Sequence, residues 1–115
     1  LAMGAGASFV ARTTAFHVQE MQSMIKDALQ HPGFSLIEVV SACPVIYGRL
    51  NKKGGAAQML KDFRDNSLTL AAVEKLPPEK VEGKIIRGIL RKEIRPEFTA
   101  EYAALCKRVQ TERGE

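Results

Sequence analysis

The spacing of apolar and polar positions changes several times along the chain, and each change predicts an element. A short apolar run, Ser8–Arg12, follows Gly4 and Gly6 and predicts a buried strand. Thr13 and Thr14 behind it carry side-chain oxygens suited to capping a helix. Val18, Met21, Met24, Ile25, Ala28 and Leu29 then recur three and four apart, the apolar stripe of an amphipathic helix. Gln19, Glu20, Gln22, Lys26 and Asp27 fall mostly toward water. His31-Pro32-Gly33 stops that helix, because proline cannot continue it and glycine turns the chain. Phe34–Val40 is short, almost continuously apolar and β-branched, which predicts a central strand parallel to the first and hence a right-handed βαβ unit.

Beyond it, Ser41–Gly55 has no period and predicts an irregular loop leaving the carboxyl end of a strand, where open α/β sheets place their ligands. Ala56–Asp65 returns to helical spacing, with Ala56, Met59, Leu60 and Phe63 on one face and Asn66 as the C-cap. Ser67–Lys75 predicts a further helical turn or two, and Leu76-Pro77-Pro78 a spacer. Lys84–Arg91 alternates imperfectly and predicts a third strand near a sheet edge. Phe98, Tyr102, Leu105 and Val109 mark a last helix, with Pro96 near its first turn and a frayed polar end from Thr111 onward. The sum is an α/β chain with a partial open sheet of βαβαβα type.

Composition narrows the class. A chain of 115 residues with 45% hydrophobic and 26% charged positions suits one small domain, neither disordered nor membrane-like. No apolar run approaches the ~20 residues that span a bilayer. The balance of 17 basic and 13 acidic side chains, a net charge of +4, describes a mixed solvated surface rather than a nucleic-acid footprint, so no nucleic acid and no membrane are expected as partners. Cys43 and Cys106 are too few for a disulfide framework and point to a reducing, cytoplasmic setting. Leu1 opens directly into an Ala/Gly-rich apolar segment with neither Met nor cap, which reads as a fragment of a larger polypeptide.

Cys43 draws attention first, since it follows a core strand, precedes Pro44 and lies outside any packing period. It suits an iron–sulfur ligand on irregular backbone, yet a lone cysteine is not a metal motif and small buried hydrophobes are the commoner fate. Cys106, beside Leu105 on an amphipathic helix, reads as packing. His17 at the first helix start can meet a phosphate or carbonyl, or simply pack, and His31 suits a helix C-terminus. Arg49, Lys52 and Lys53 with Gly54-Gly55 make a basic loop that lacks Walker spacing. Lys84, Arg87, Arg91, Lys92 and Arg95 make a second basic set, a solvated face or a surface for an acidic protein.

Four stretches carry a resemblance. Gly6–Arg12 with Thr13-Thr14-Ala15-Phe16-His17, His31–Pro44, Tyr47–Lys52 with the Met59–Phe63 helix, and Arg95–Thr99 with Tyr102 together resemble the C-terminal part of the beta subunit of 2-oxoacid:ferredoxin oxidoreductases, its 2-oxoglutarate branch in particular. The resemblance implies the C-terminal half of a thiamine-diphosphate-binding fold. It implies CoA-dependent oxidative decarboxylation with thiamine diphosphate and Mg2+, electrons passing through a 4Fe–4S cluster to ferredoxin, and an alpha subunit as partner. Cys43 maps onto a cluster cysteine of the family, although Ser41-Ala42-Cys43-Pro44 departs from its commoner Ser-Pro-Cys form. Thr13, Thr14 and His17 fall on the cofactor side. The family's other cluster cysteines and its Gly-Asp-Gly diphosphate–metal motif have no counterpart in these residues, so none of these cofactors is expected to bind the fragment alone and it is expected to be inactive. A non-catalytic assembly module for the alpha subunit is the rival reading, and a homodimer through an exposed sheet edge a further expectation.

Overall fold

The computed structural model describes residues 1–112. Four strands and five α-helices, with one wide helical turn at Pro44–Gly48, follow along the described chain: β1 (Phe9–Thr14), α1 (Val18–Gln30), β2 (Ser35–Val40), α2 (Ala56–Asp65), β3 (Ser67–Thr69), α3 (Leu70–Val73), α4 (Pro78–Val81), β4 (Ile85–Lys92) and α5 (Phe98–Glu112). The strands form one open mixed sheet in the order β2-β1-β4-β3. β1 and β2 run parallel, β1 and β4 antiparallel, and β3 and β4 parallel.

The β-α-β start matches the spacing of the apolar residues, but the strands exchange positions. Phe34–Val40, expected at the centre, supplies an edge strand, and Lys84–Arg91, expected near an edge, supplies an interior one. The burial pattern gives the reason. Only β1 is covered on both faces, so five of its six residues are buried, while β2 is half-exposed along its length. Ser67–Lys75 also departs from expectation: Ser67–Thr69 pairs with Ile85–Arg87 as β3 before a short helix begins, capped by the Thr69 hydroxyl, which accepts from the Ala72 N–H at 3.3 Å. Three residues are too few to show a period in sequence. Part of the expected spacer is helical, since Pro78 opens α4.

The core is small. Phe9 and Ala11 of β1 pack on Met24 of α1, with Ala28 and Ile37 beside them. β1 and β4 change register between Val10 and Ala11, where Leu90 of β4 is left over as a bulge. At the start of the sheet Gly33 is required twice over. Its φ is +99°, and a Cβ there would stand 2.5 Å from Ser8 Oγ, which itself donates to the Phe34 carbonyl at 3.1 Å.

Thr13 and Thr14 lie inside β1 rather than at a helix cap. The N-cap of α1 is His17, without a side-chain capping bond, and Glu20 supplies the first-turn negative charge. His31 is the C-cap of α1, yet its ring is turned inward, 5.4 Å from the Phe9 ring. Pro96 stands two residues before α5, near its first turn as expected. Glu97 does the capping, accepting from the Thr99 N–H at 3.0 Å and the Ala100 N–H at 3.2 Å. α5 continues through Thr111 to Glu112, and the remainder of the expected frayed end lies outside the described residues.

Candidate functional site

The carboxyl ends of β1 and β2 lie side by side, tied by the Ala15 N–H, which donates to the Val40 carbonyl at 2.9 Å. Two loops therefore leave the sheet at the same place. The first is Ala15-Phe16-His17. The Thr14 hydroxyl and His17 Nδ1 share a hydrogen bond of 2.8 Å, Phe16 packs edge-on to the His17 ring, and the Arg64 guanidinium of α2 sits 5.9 Å from the Phe16 ring centre. Partial burial, then the nearby Arg87 charge, hold His17 below the usual histidine range, against the opposing pull of Glu20.

The second loop carries Cys43. Behind it the chain makes one wide helical turn over Pro44–Gly48, closed by the Gly48 N–H donating to the Cys43 carbonyl at 2.9 Å. That turn points backbone N–H groups at the cysteine. The backbone N–H groups of Tyr47 and then Ile46 lower the thiol pKa, against an opposing desolvation effect that outweighs the weaker contribution of Val45. Cys43 is free and exposed, and it lines a cleft of about 760 Å3 with Tyr47, Lys53, Asp62, Phe63 and Asn66. Gly48 is tightly approached here, because a Cβ on it would meet the buried Met59 sulfur at 2.7 Å.

The expected site residues divide. Cys43 and His17 both stand on loops at this end of the sheet. Thr13 and Thr14 are completely buried and their hydroxyls are engaged, Thr13 donating to Glu20 at 3.2 Å. They support the His17 loop from below. Sequence reasoning missed Glu20, which also receives Arg87 Nη1 at 2.6 Å, while Arg87 Nε donates to Ser67 Oγ at 3.3 Å. The pair joins α1 to β4 and β3 beneath the loop. Its signal in sequence was faint: an acid on the helix and an arginine in a strand, far apart in the chain.

The second basic set is largely spoken for. Besides Arg87–Glu20, Arg91 and Arg95 share Glu93, Lys92 lies 3.5 Å from Asp27, and Lys84 donates to Asn66 at 2.8 Å. It is a paired surface rather than a free positive patch.

For a metal cluster, the chain offers one exposed cysteine whose thiol pKa is lowered. Among the described residues no group of three or more His, Cys, Asp or Glu side chains stands close enough to hold a metal ion. A single exposed cysteine is at most one ligand of a cluster, and the described residues do not fit a complete cluster or a diphosphate-bound magnesium. Among the described residues no helix is long and apolar enough to cross a membrane.

Fold and site together define an α/β chain that presents a thiolate-prone cysteine beyond the carboxyl end of a parallel strand. Its relatives are specific. The chain is 41% identical over 109 residues to 2-oxoglutarate synthase subunit KorB of Methanothermobacter marburgensis, covering 95% of this chain and 36% of that one. It is 38% identical over 112 residues to the subunit of the same name from Methanocaldococcus jannaschii, covering 97% and 42%. To the 2-oxoacid:ferredoxin oxidoreductase subunit beta of a Sulfolobus species it is 42% identical over 89 residues, covering 77% and 28%. The chain is homologous, over nearly its whole length, to part of these beta subunits. It spans about two fifths or less of the length of the relatives it matches. No family model matches it. The fold is shared with a 2-oxoglutarate:ferredoxin oxidoreductase from Magnetococcus marinus, solved with 2-oxoglutarate, coenzyme A and succinyl-CoA bound. The TM-score is 0.67 at 20% identity, covering 94% of this chain and 37% of that one.

Proposed function

We propose that this chain is the C-terminal part of the beta subunit of a 2-oxoacid:ferredoxin oxidoreductase that acts on 2-oxoglutarate, and that Cys43 supplies one thiolate to its 4Fe–4S cluster. The observation that carries the reading is the setting of Cys43: exposed, biased toward thiolate by the backbone N–H groups of the turn behind it, and held beyond the carboxyl end of β2. The relatives' names supply the reaction class, and their greater length supplies room for the remaining cluster ligands and the residues that hold thiamine diphosphate and Mg2+. When bound, the thiamine cofactor supplies the carbanion chemistry of decarboxylation and the cluster carries electrons to ferredoxin.

In this reading the chain's own residues do three things. Cys43 ligates iron. Thr13 and Thr14, through Glu20 and His17, fix the loop on the cofactor side. The half-exposed apolar surfaces of the sheet and helices meet the rest of the beta subunit and an alpha subunit. The 115 residues alone hold no cluster and turn over no substrate, so they act only in the assembled enzyme.

The test is an assay of the full beta subunit assembled with its alpha subunit, following reduction of ferredoxin with 2-oxoglutarate and coenzyme A. Cys43→Ser should lower electron delivery by at least the roughly ten- to hundredfold that losing even an outer-shell partner of a metal ligand costs, while Cys106→Ser leaves it within about twofold. Wild-type turnover with other 2-oxoacids but not 2-oxoglutarate would overturn the substrate. An unaffected Cys43→Ser enzyme would overturn the residue's role.

A further inference from the structure

The charge of the chain is unevenly placed. Between Glu38 and Asp62 the sequence runs through 23 residues without an acidic side chain, and these hold Arg49, Lys52, Lys53 and Lys61. The remaining residues carry thirteen basic and thirteen acidic side chains, so the whole net charge of +4 lies in this one stretch. It contains Cys43, the turn behind it and α2 as far as Lys61.

These four cations stay free. All are exposed, and none joins an ion pair among the described residues, whereas Arg87, Arg91, Lys92 and Arg95 each meet an acid. Backbone hydrogen bonds fasten their loop to the cysteine. The Gly48 N–H donates to the Cys43 carbonyl at 2.9 Å, and the Lys53 N–H donates to the Gly48 carbonyl at 2.8 Å. Asn51 Nδ2 donates to the Tyr47 carbonyl at 2.9 Å, and Lys52 beside it takes a left-handed φ of +52°.

This arrangement suits a large anionic partner rather than a small anion. A phosphate or carboxylate site needs donors that converge on one point. The cleft beside Cys43 is lined by only one of the four cations, Lys53, and by Asp62 as well. Cations spread over a surface act instead through their summed field, which reaches about 8 Å in physiological salt and speeds the arrival of an oppositely charged protein. Charged side chains are also depleted at the buried centre of subunit contacts, where apolar residues gather.

We propose that Arg49, Lys52, Lys53 and Lys61 form the docking surface for an acidic electron-carrier protein, which they hold beside the Cys43 loop. This rests on the reading of Cys43 as a cluster ligand and adds where the electron leaves.

The test uses the full beta subunit assembled with its alpha subunit, oxidising 2-oxoglutarate with either an acidic ferredoxin or the small cationic dye methyl viologen as acceptor. The variant combines Arg49→Gln, Lys52→Asn and Lys61→Gln, asparagine being suited to the left-handed φ at position 52. At low salt its kcat/KM for ferredoxin should fall about tenfold, and the further decrease with rising salt should flatten. Methyl viologen reduction should stay within about twofold. An unchanged kcat/KM for ferredoxin, or an equal loss with both acceptors, would overturn the proposal. A wild-type complex that reduces methyl viologen but not ferredoxin would overturn it and spare the cluster reading. One that reduces neither would overturn that reading, and the docking surface with it.

Discussion

Glu20 and Arg87 stand 67 positions apart in sequence and meet at 2.6 Å, with side chains only 26% and 18% exposed. Removing one partner of such a pair leaves the other charge poorly solvated. Arg87→Met should therefore destabilise the protein by about 2 kcal/mol, against less than about 1 kcal/mol for Arg12→Met, whose partner Glu38 is in water. Urea unfolding of the two variants against wild type checks the difference. His17 adds a pH dependence. Its folded pKa lies below the ordinary value of 6.5, so the unfolded chain binds more protons as pH falls through and below that value. Stability should decline on acidification in that window and His17→Gln should flatten the decline, which melting curves from pH 7 to 5 will show. At Cys43 the sign favours the anion. Its alkylation by iodoacetamide, followed in a Cys106→Ser background, should reach half its maximal rate below the pH of an ordinary thiol. A loop cysteine after a strand was visible in the sequence. The N–H groups that activate it were not, because they depend on how Val45–Tyr47 turns back. Thr13 and Thr14 were visible as hydroxyls, but nothing local said that β1 runs through both.

At the scale of elements, Gly33 fixes how α1 hands over to β2. Gly33→Ala meets both an unfavourable φ and the Ser8 hydroxyl, and should cost about 2 kcal/mol or more in thermal or denaturant unfolding. Gly55→Ala, with open space around its Cβ position and no left-handed φ, should be nearly neutral. The elements built on long periods were legible. α1 and α2 fall where the stripes of Val18–Leu29 and Ala56–Phe63 put them. Strand order was not legible, since a continuous apolar run suggests burial without saying which neighbours provide it. β3 escaped because it exists only through its pairing with β4, and the β4 bulge at Leu90 broke the alternation that would have marked that strand plainly.

The whole molecule is long rather than round, with extents of 69 × 35 × 23 Å and a radius of gyration of 19.9 Å, where a compact chain of this length has about 13 Å. Its core is confined to the β1–α1 contact, and large apolar residues such as Phe34, Ile46, Leu50 and Ile94 stay exposed. Such a surface suits a piece that completes its packing against other protein, as the proposed place in a beta subunit and an alpha-subunit complex requires. In that complex Cys43 is proposed to bind iron, and cluster content reads this more directly than turnover. Iron and acid-labile sulfide, with the electron paramagnetic resonance signal of the reduced complex, should be measured in wild type, Cys43→Ser and Cys106→Ser. Cys43→Ser should lose or visibly alter the cluster while Cys106→Ser keeps it. An unchanged cluster and spectrum in the Cys43→Ser complex would contradict it.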